Sequence, residues 1–348
     1  MPANPPQSLC LLRTSALGDV THVVPLVRTL QAAWPRTRLT WIVGRLEHRL
    51  VGDIGGVEFV VFDKSAGLAG YRNVRRALAG SRFDALLHMQ VALRANLLSA
   101  QVKAGRRIGY DRARSKDLHG LFVRERIPAR TGEHVLDAIG SFVEPFGLRQ
   151  TEVHWDIPIP DEAREWAAQH WRDDERVLAI SPCSSHALRN WRAERYAAVA
   201  DHAAKALGLR VVLCGGPSAA ERAMGDAILS SMKTQPLDLI GRDTLKRALA
   251  LYARAFVVLT PDAGPMHMAN AVGTRVVGLH AASNPARSGP YSDRRWCVDR
   301  YDDASRKFLH KPGTEIPWGT KIEYPGVMDL IEVDDVIERL EALLKTGR

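Results

Sequence analysis

Two short stretches combine residue types whose spacing could do chemistry. The first is T-P-D-A-G-P-M-H (260–267), between the apolar runs Phe256–Leu259 and Arg275–Leu279. A glycine at such a turn lets a ligand approach the backbone, and free amides in a helix's first turn suit a phosphate or diphosphate. Asp262, Ala263, Gly264, Met266 and His267 are the candidates for that site. Asp262 as a plain cap and His267 as a packed helix residue fit the same spacing. The second stretch is R-T-S-A-L-G-D (13–19), directly after the apolar run Leu9–Leu12. Asp19 follows a glycine that permits a tight turn and stands where an N-cap belongs. A helix N-terminus there favours the ionised carboxylate that a general base requires.

The surrounding pattern supplies elements to position both stretches. The 256–279 run reads as strand, turn, helix and strand, with Pro265 opening the helix and Gly273 closing it. Such a unit is a parallel, right-handed crossover, and ligands in sheets of this kind sit beyond the carboxyl ends of the strands. The same alternation recurs throughout. Strands are expected at Leu39–Val43, Phe59–Phe62, Phe83–Met89 and Arg107–Tyr110, with helices at about Val20–Trp34, Tyr71–Leu78, Ala92–Val102 and Glu133–Phe146. Pro25 would offset or bend the first helix. After a bridge through 150–176, strands are expected at Val177–Ile180, Arg210–Leu213 and Leu237–Ile240. Helices are expected at Glu194–Leu207, from Ala219 with Ser218 as cap, and at Leu245–Ala253. The repeated β-α-β order predicts an α/β protein with two doubly wound parallel sheets facing across a cleft. Residues 111–130 read as a long functional loop. Residues 285–325 have no pattern, and the last helix, Val333–Leu344, is amphipathic enough to pack on either domain.

Length and composition set the outer limits. A chain of 348 residues fits two domains, divided here as 1–160 and 161–348. The start, MPANPPQS, has neither the basic nor the apolar region of a secretory signal, and no apolar run reaches the ~20 residues a membrane span needs. The four cysteines, Cys10, Cys183, Cys214 and Cys297, lie far apart and read as reduced, which places the protein in the cytoplasm. A formal net charge of +9 calls for an anionic partner. Nucleic acid is set aside, because the basic residues fall in no reader motif and lack interleaved aromatics. Many of them, Arg112, Arg114 and Lys116 included, cluster between Arg94 and Arg130. That stretch is either a solvated face or a docking surface for a phosphorylated or carboxylated substrate, with an anionic membrane surface as a possible setting.

Four motifs together carry a family resemblance: R-T-S-A-L-G-D-V-T-H (13–22), S-S-H-A-L-R-N-W (184–191), C-G-G-P-S-A-A-E-R (214–222) and T-P-D-A-G-P-M-H-M-A-N-A (260–271). In this order they resemble the GT-B glycosyltransferases of family 9, the ADP-heptose:lipopolysaccharide heptosyltransferases, and most nearly the heptosyltransferase I type. The resemblance implies an acceptor-binding first domain and a nucleotide-sugar-binding second domain. It implies that Asp19 is the general base, with Ser15 and Gly18 in its loop. Ser184 and Ser185 would bond the diphosphate, Glu221 the ribose and Asp262 the donor-sugar hydroxyls. Ala263, Gly264, Met266 and His267 would bring further contacts to the donor. Arg189 stands where the family usually has lysine and would neutralise the leaving diphosphate. Trp191 reads as packing.

Implied, then, is an inverting transfer of heptose from ADP-heptose to the Kdo/lipid A inner core, with no metal and no cofactor. The partners are an ADP-sugar and an anionic lipid-linked glycan, met at the inner face of the inner membrane. Transfer from another nucleotide sugar stays open, as does a non-catalytic nucleotide- or glycan-binding module. A dehydrogenase fits less well, since TSALGDV replaces a G-x-G-x-x-G fingerprint.

Overall fold

Residues 5–346 are described by the structure, a computed structural model, so the first four residues of MPANPPQS lie outside it. In the first half, strands β1 (Ser8–Leu12), β2 (Arg38–Gly44), β3 (Val57–Phe62), β4 (Phe83–His88), β5 (Ala104–Gly109) and β6 (Glu125–Arg126) form one sheet. All neighbours are parallel, in the order β3-β2-β1-β4-β5-β6. Every residue of β1 is buried, as expected of a central strand covered on both faces. Helices α1 (Leu17–Ala33), α2 (Arg45–Val51), α3 (Leu68–Ala77), α4 (Leu93–Ser99) and α5 (Val135–Gly140) accompany it. The chain starts in mid-sheet, runs to one edge, then returns to fill the other. The reversal lies between β1 and β4.

The second half repeats the plan. Strands β7 (Val177–Ile180), β8 (Arg210–Leu213), β9 (Leu237–Asp238), β10 (Val257–Pro261), β11 (Arg275–His280) and β12 (Val298–Asp299) are parallel in the order β12-β11-β10-β7-β8-β9. Its reversal lies between β7 and β10. The helices are α6 (Asp161–Ala168), α7 (Ala193–Lys205), α8 (Ala219–Ser231), α9 (Leu245–Arg254), α10 (Gly264–Ala271), α11 (Pro285–Ser288), α12 (Tyr301–Ala304) and α13 (Val333–Lys345). The expectation of two doubly wound parallel sheets holds. The chain divides into two compact units between Pro158 and Ile159.

Helix α13 belongs to the second unit: Val336, Leu340 and Leu343 are buried in one apolar cluster with Tyr196, Val199 and Ala203 of α7. Trp191 is 1% exposed in that cluster and donates its ring N–H to Ile331 O at 3.0 Å, so it is packing. The smaller cluster of the first unit joins Cys10, Leu12, Ile42, Phe62 and Leu86. The cysteines are unpaired, three buried and Cys183 partly so. Two local expectations need correction. Helix α2 was unforeseen, being seven residues long with only a glycine before it and no side-chain cap. Residues 285–325 do carry structure: α11, β12, α12 and a π-helical turn, Ser305–Leu309.

Candidate functional site

Each sheet's reversal leaves a crevice at the carboxyl ends of two adjacent strands, where the outgoing loops diverge. In the first unit the loop after β1 lies there. Arg13 is its anchor, donating from Nε to Ser15 O at 2.8 Å and from Nη1 to Met89 O, just past β4, at 2.5 Å. Its Nη2 forms an ion pair with Asp19. Gln90 holds the same loop from the β4 side: its Oε1 accepts from Thr14 N and Oγ1 at 2.9 Å each, and its Nε2 donates to Ser15 Oγ at 3.0 Å.

Asp19 is therefore not the N-cap. Helix α1 begins at Leu17, with Ala16 before it, and Asp19 is the third helical residue. Its Oδ2 reaches back to accept the Ala16 N–H at 3.1 Å. An alanine cap has no oxygen to offer, so a carboxylate one turn later satisfies the cap amide instead. Asp19 thus sits on an ordered helix end, its side chain one-third exposed beside a guanidinium that is 12% exposed. Gly18 is buried, and its carbonyl accepts from Thr21 Oγ1 at 2.6 Å.

In the second unit the crevice collects residues from five segments. Asp262 follows β10, and its carboxylate is about 10% exposed. Lys321 Nζ donates to its Oδ2 at 2.8 Å and Ser288 Oγ to the same oxygen at 3.2 Å, while His267 Nε2 lies 3.9 Å from Oδ1. Burial acts to raise the pKa of Asp262, but the Lys321 ammonium, joined by His280 and His267, outweighs it and holds the carboxyl well below the usual carboxylate range. Ser184 bridges to the same turn, its Oγ donating to Asp262 O at 3.4 Å and its N–H to Asn190 Oδ1 at 2.6 Å. Ser185 is exposed beside it.

Arg189 ends a short 3-10 turn and points at Glu323, with Nε and Nη2 at 2.7 and 2.5 Å from Oε1. His186 Nε2 is 3.4 Å from the other carboxylate oxygen. One arginine and one histidine of the β7–α7 loop thus converge on a carboxylate, the geometry of an anion site occupied by the chain itself. At α10 the supply of free amides is smaller than the sequence suggested. Pro265 has no N–H and the Met266 N–H is bonded to Ala263 O at 3.2 Å, which leaves the Ala263 and Gly264 amides of that turn. Met266 itself is fully buried, so its side chain is core.

Glu221 is not a plain exposed helix residue. It is the third residue of α8, capped by Ser218, and its carboxylate turns back to accept from Gly216 N at 2.9 Å and Ser218 Oγ at 2.7 Å. That places it over the β8 end beside Gly215 and Gly216. A side chain on Gly216 would collide with it, a Cβ there lying 2.9 Å from Oε2.

The basic stretch of the first unit splits into two populations. Arg106 pairs with Glu125, and Arg107 donates to the Phe122, Val102 and Ser99 carbonyls. Arg114 is ion-paired with Asp111 and Glu133 and also donates to Pro128 O. These three side chains build the 104–130 region. Arg112, Lys116, Arg124 and Arg126 are exposed. Arg114 is thus engaged within its own region, whereas Arg112 and Lys116 are open to solvent.

Sequence reasoning missed Arg13, Gln90, Ser288, Lys321 and Glu323. Arg13 lay in a motif already singled out, next to a carboxylate six residues on. The other four had no local signal.

The model of glycosyltransferase family 9 (heptosyltransferase) matches residues 71–315. The chain is 37% identical, over 97% of both sequences, to the lipopolysaccharide core heptosyltransferase OpsX of Haemophilus influenzae. A glycosyltransferase family 9 structure from Veillonella parvula superimposes with a TM-score of 0.79 at 24% identity, covering 98% of each chain. An Escherichia coli heptosyltransferase WaaC solved with ADP gives 0.72 at 17%, covering 97% of this chain and 99% of that one. The match over more than half of the chain and the near full-length relative agree with the four motifs: this chain belongs to glycosyltransferase family 9, the heptosyltransferases.

Proposed function

We propose that the protein transfers heptose from ADP-heptose to the Kdo/lipid A inner core of lipopolysaccharide, with inversion and without a metal. The observation that carries this reading is the second unit's crevice, where Arg189, Lys321, the Gly264 amide and Asp262 lie together at the carboxyl end of the sheet. Two cations and a helix start suit a diphosphate, and a buried, ionised carboxylate suits sugar hydroxyls. The names of the relatives support the heptose and the core acceptor, and the ADP held by the WaaC structure supports the nucleotide.

In the reaction the acceptor hydroxyl oxygen forms a bond to the anomeric carbon as the bond from that carbon to the β-phosphate oxygen breaks. ADP leaves with the bonding electrons, stabilised by Arg189 and Lys321. The hydroxyl proton passes to the Asp19 carboxylate. One displacement with no protein nucleophile inverts the anomeric centre. Ser184, Ser185 and His267 complete the diphosphate contacts, Glu221 holds the ribose, and Ala263 and Met266 shape the turn that presents Gly264. Ser15 and Gly18 hold the loop that orients Asp19.

A lipid-linked acceptor implies work at a membrane surface, here the cytoplasmic face of the inner membrane. No helix among the described residues is long and apolar enough to cross a bilayer. The first unit offers a peripheral alternative: Leu68 and Leu121 are about 80% exposed, and Leu93, Leu97 and Leu118 are exposed as well, among Arg72, Arg94, Arg112 and Lys116. Helix α4 ties these segments together through Leu93 N and Asn96 Nδ2, which donate to Asp117 at 3.2 and 2.7 Å, and through Arg94 O, which accepts from Tyr71. Leucines beside arginines suit an anionic bilayer.

The test is a panel of nucleotide sugars in thermal unfolding, followed by product analysis with a Kdo-terminated acceptor. ADP-heptose should protect most, a ligand at ~100 times its dissociation constant adding about 2.7 kcal/mol. Protection by a UDP-sugar and none by ADP would overturn the donor.

A further inference from the structure

The stretch P-W-G-T-K-I-E-Y (317–324) had no pattern in the sequence, yet it is fixed from three sides. Ile322 is fully buried and its N–H donates to Ala282 O at 2.9 Å. Thr320 O accepts from the Tyr301 hydroxyl at 2.8 Å. Gly319 has a φ of 89°, and a Cβ there would lie 2.6 Å from Arg287 Nε, so only glycine passes that point without strain. With Ile322 locked in the core, its neighbours reach the crevice: Lys321 meets Asp262, and Glu323 meets Arg189 and His186.

Charge sets the terms for any diphosphate entering here. Arg189 is matched by Glu323 and Lys321 by Asp262, so these two cations are balanced within the chain. A diphosphate that displaces Glu323 from Arg189 regains one full cation, and the Gly264 amide adds a fraction of a charge. One further cation is needed. An ammonium has three N–H donors, and the bond to Asp262 uses one. The Lys321 side chain is 28% exposed against 10% for Asp262, so the pair is more open to solvent on the lysine side.

We propose that Lys321 is a donor-contacting residue: it keeps its bond to Asp262 and gives its remaining N–H donors to the diphosphate, so that Lys321 and Arg189 share its neutralisation. This rests on the ADP-sugar reading above. Lys321 then couples recognition of the sugar, through Asp262, to neutralisation of the leaving group.

The test separates contact from scaffolding by working in a background where Asp262 no longer needs a cation. Binding of ADP, AMP and adenosine is measured by calorimetry for the parent, Asp262→Asn, Lys321→Met, Lys321→Arg and the double variant Asp262→Asn/Lys321→Met. Loss of a charge-assisted bond predicts about 10-fold weaker ADP binding in the double variant than in Asp262→Asn, with adenosine unchanged. Lys321→Arg should recover most of the ADP affinity. Equal ADP affinity of the double variant and Asp262→Asn would mean that Lys321 acts only through Asp262, and would overturn the proposal. So would a matching loss for adenosine. Should Lys321→Met fail to fold with Asp262 left uncompensated, the double variant still decides. Absence of ADP binding by the parent would instead sink the donor reading itself.

Discussion

The two units share a strand order and a crevice position but fill the crevice by opposite means. In the first, one carboxylate is held by its own loop: Asp19 by Ala16 N and Arg13, and the loop by Gln90. Arg13 and Gln90 come from the ends of β1 and β4, the strands that flank the reversal, and Trp41 of β2 adds a bond from its ring N–H to Arg13 O at 3.1 Å. In the second, side chains arrive from α11 and from residues 317–324 to meet β7 and β10. Under the proposed function, the first crevice presents one base, and that needs only local geometry. Under the same proposal, a site that must neutralise a dianion and grip a sugar needs charges from several segments, and residues 317–324 add Lys321 and Glu323 to them. The lesson is that strand order fixes where a site lies, and the connections added beyond the strands fix what it binds.

The comparison makes Asp19 the most sensitive position. Asp19→Asn keeps the size and the acceptor for Ala16 N–H, and removes only the base and the ion pair with Arg13. Sugar transfer should fall at least ~100-fold while ADP affinity stays near that of the parent. Steady-state transfer and calorimetry on one preparation decide it. Full turnover would remove Asp19 from the chemistry, and loss of ADP binding would mean that the two crevices are not independent.

Next in size is Arg189→Ala, which tests the second crevice alone. Two charge-assisted bonds are lost, and ADP should bind about 10- to 100-fold more weakly. Unchanged affinity would mean that the arginine serves only Glu323.

The sequence made the first crevice more legible than the second. Strands β1, β4 and β10 came within two residues of their observed ends and β7 matched at both, because continuous apolar runs bounded by turn residues are a local signal. Ser218 as a cap was read from one residue. The partner of Asp262 lies 59 residues away and that of Arg189 lies 134 away, in a segment rich in Pro, Gly and Trp with no period. Such partners are chosen by tertiary packing around Ile322, which leaves no trace in local spacing. Asp19 was misplaced by three positions for a related reason: Ala16 looks like no cap, and its amide is satisfied from the next turn.

Acid should separate the units. In the first, Asn96 Oδ1 accepts from His88 Nε2 at 2.8 Å and His119 Nδ1 at 2.9 Å, while His119 Nε2 accepts from Tyr110 N at 3.2 Å. Burial, first of all, pulls both histidines down, His88 to about 3 and His119 to about 4. Both are neutral when folded and take up protons near pH 6.5 when unfolded. Their contribution is therefore whole above pH 6.5 and is lost as pH falls toward 4, at up to about 1.4 kcal/mol per unit for each. In the second unit His280 is lowered to about 4 in the same way, but Asp243 is raised to about 7 by burial, with the Glu221 charge adding to it. Asp243 binds a proton more tightly folded than unfolded, so it stabilises as pH falls from 7 and offsets His280. Hydrogen exchange at pH 7 and pH 5, corrected for intrinsic rates, should show the first unit losing more protection. Equal loss in both would refute the assignment.

The smallest expected effect concerns the exposed basic residues, and it sharpens the comparison within the first unit. Arg112 and Lys116 are exposed, whereas Arg114 is tied to Asp111, Glu133 and Pro128 O two residues from each. Similar charges at neighbouring positions therefore have different tasks. Exposed charges in ion contacts are each worth about 0.2–1 kcal/mol, so Arg112→Gln with Lys116→Gln should raise the acceptor Michaelis constant about three- to tenfold. The donor constant and the unfolding temperature should stay put. Arg114→Gln should do the reverse: it leaves Asp111 without its cation and Glu133 with Arg130 alone, costs about 1–3 kcal/mol of stability, and affects both substrates alike once the protein is folded. Measuring all three quantities for both variants tests the division, because each variant supplies the other's control. If neutralising Arg112 and Lys116 lowers the unfolding temperature and leaves the acceptor constant unchanged, the exposed arm of this loop is scaffold as well, and acceptor docking has to be sought elsewhere on the first unit.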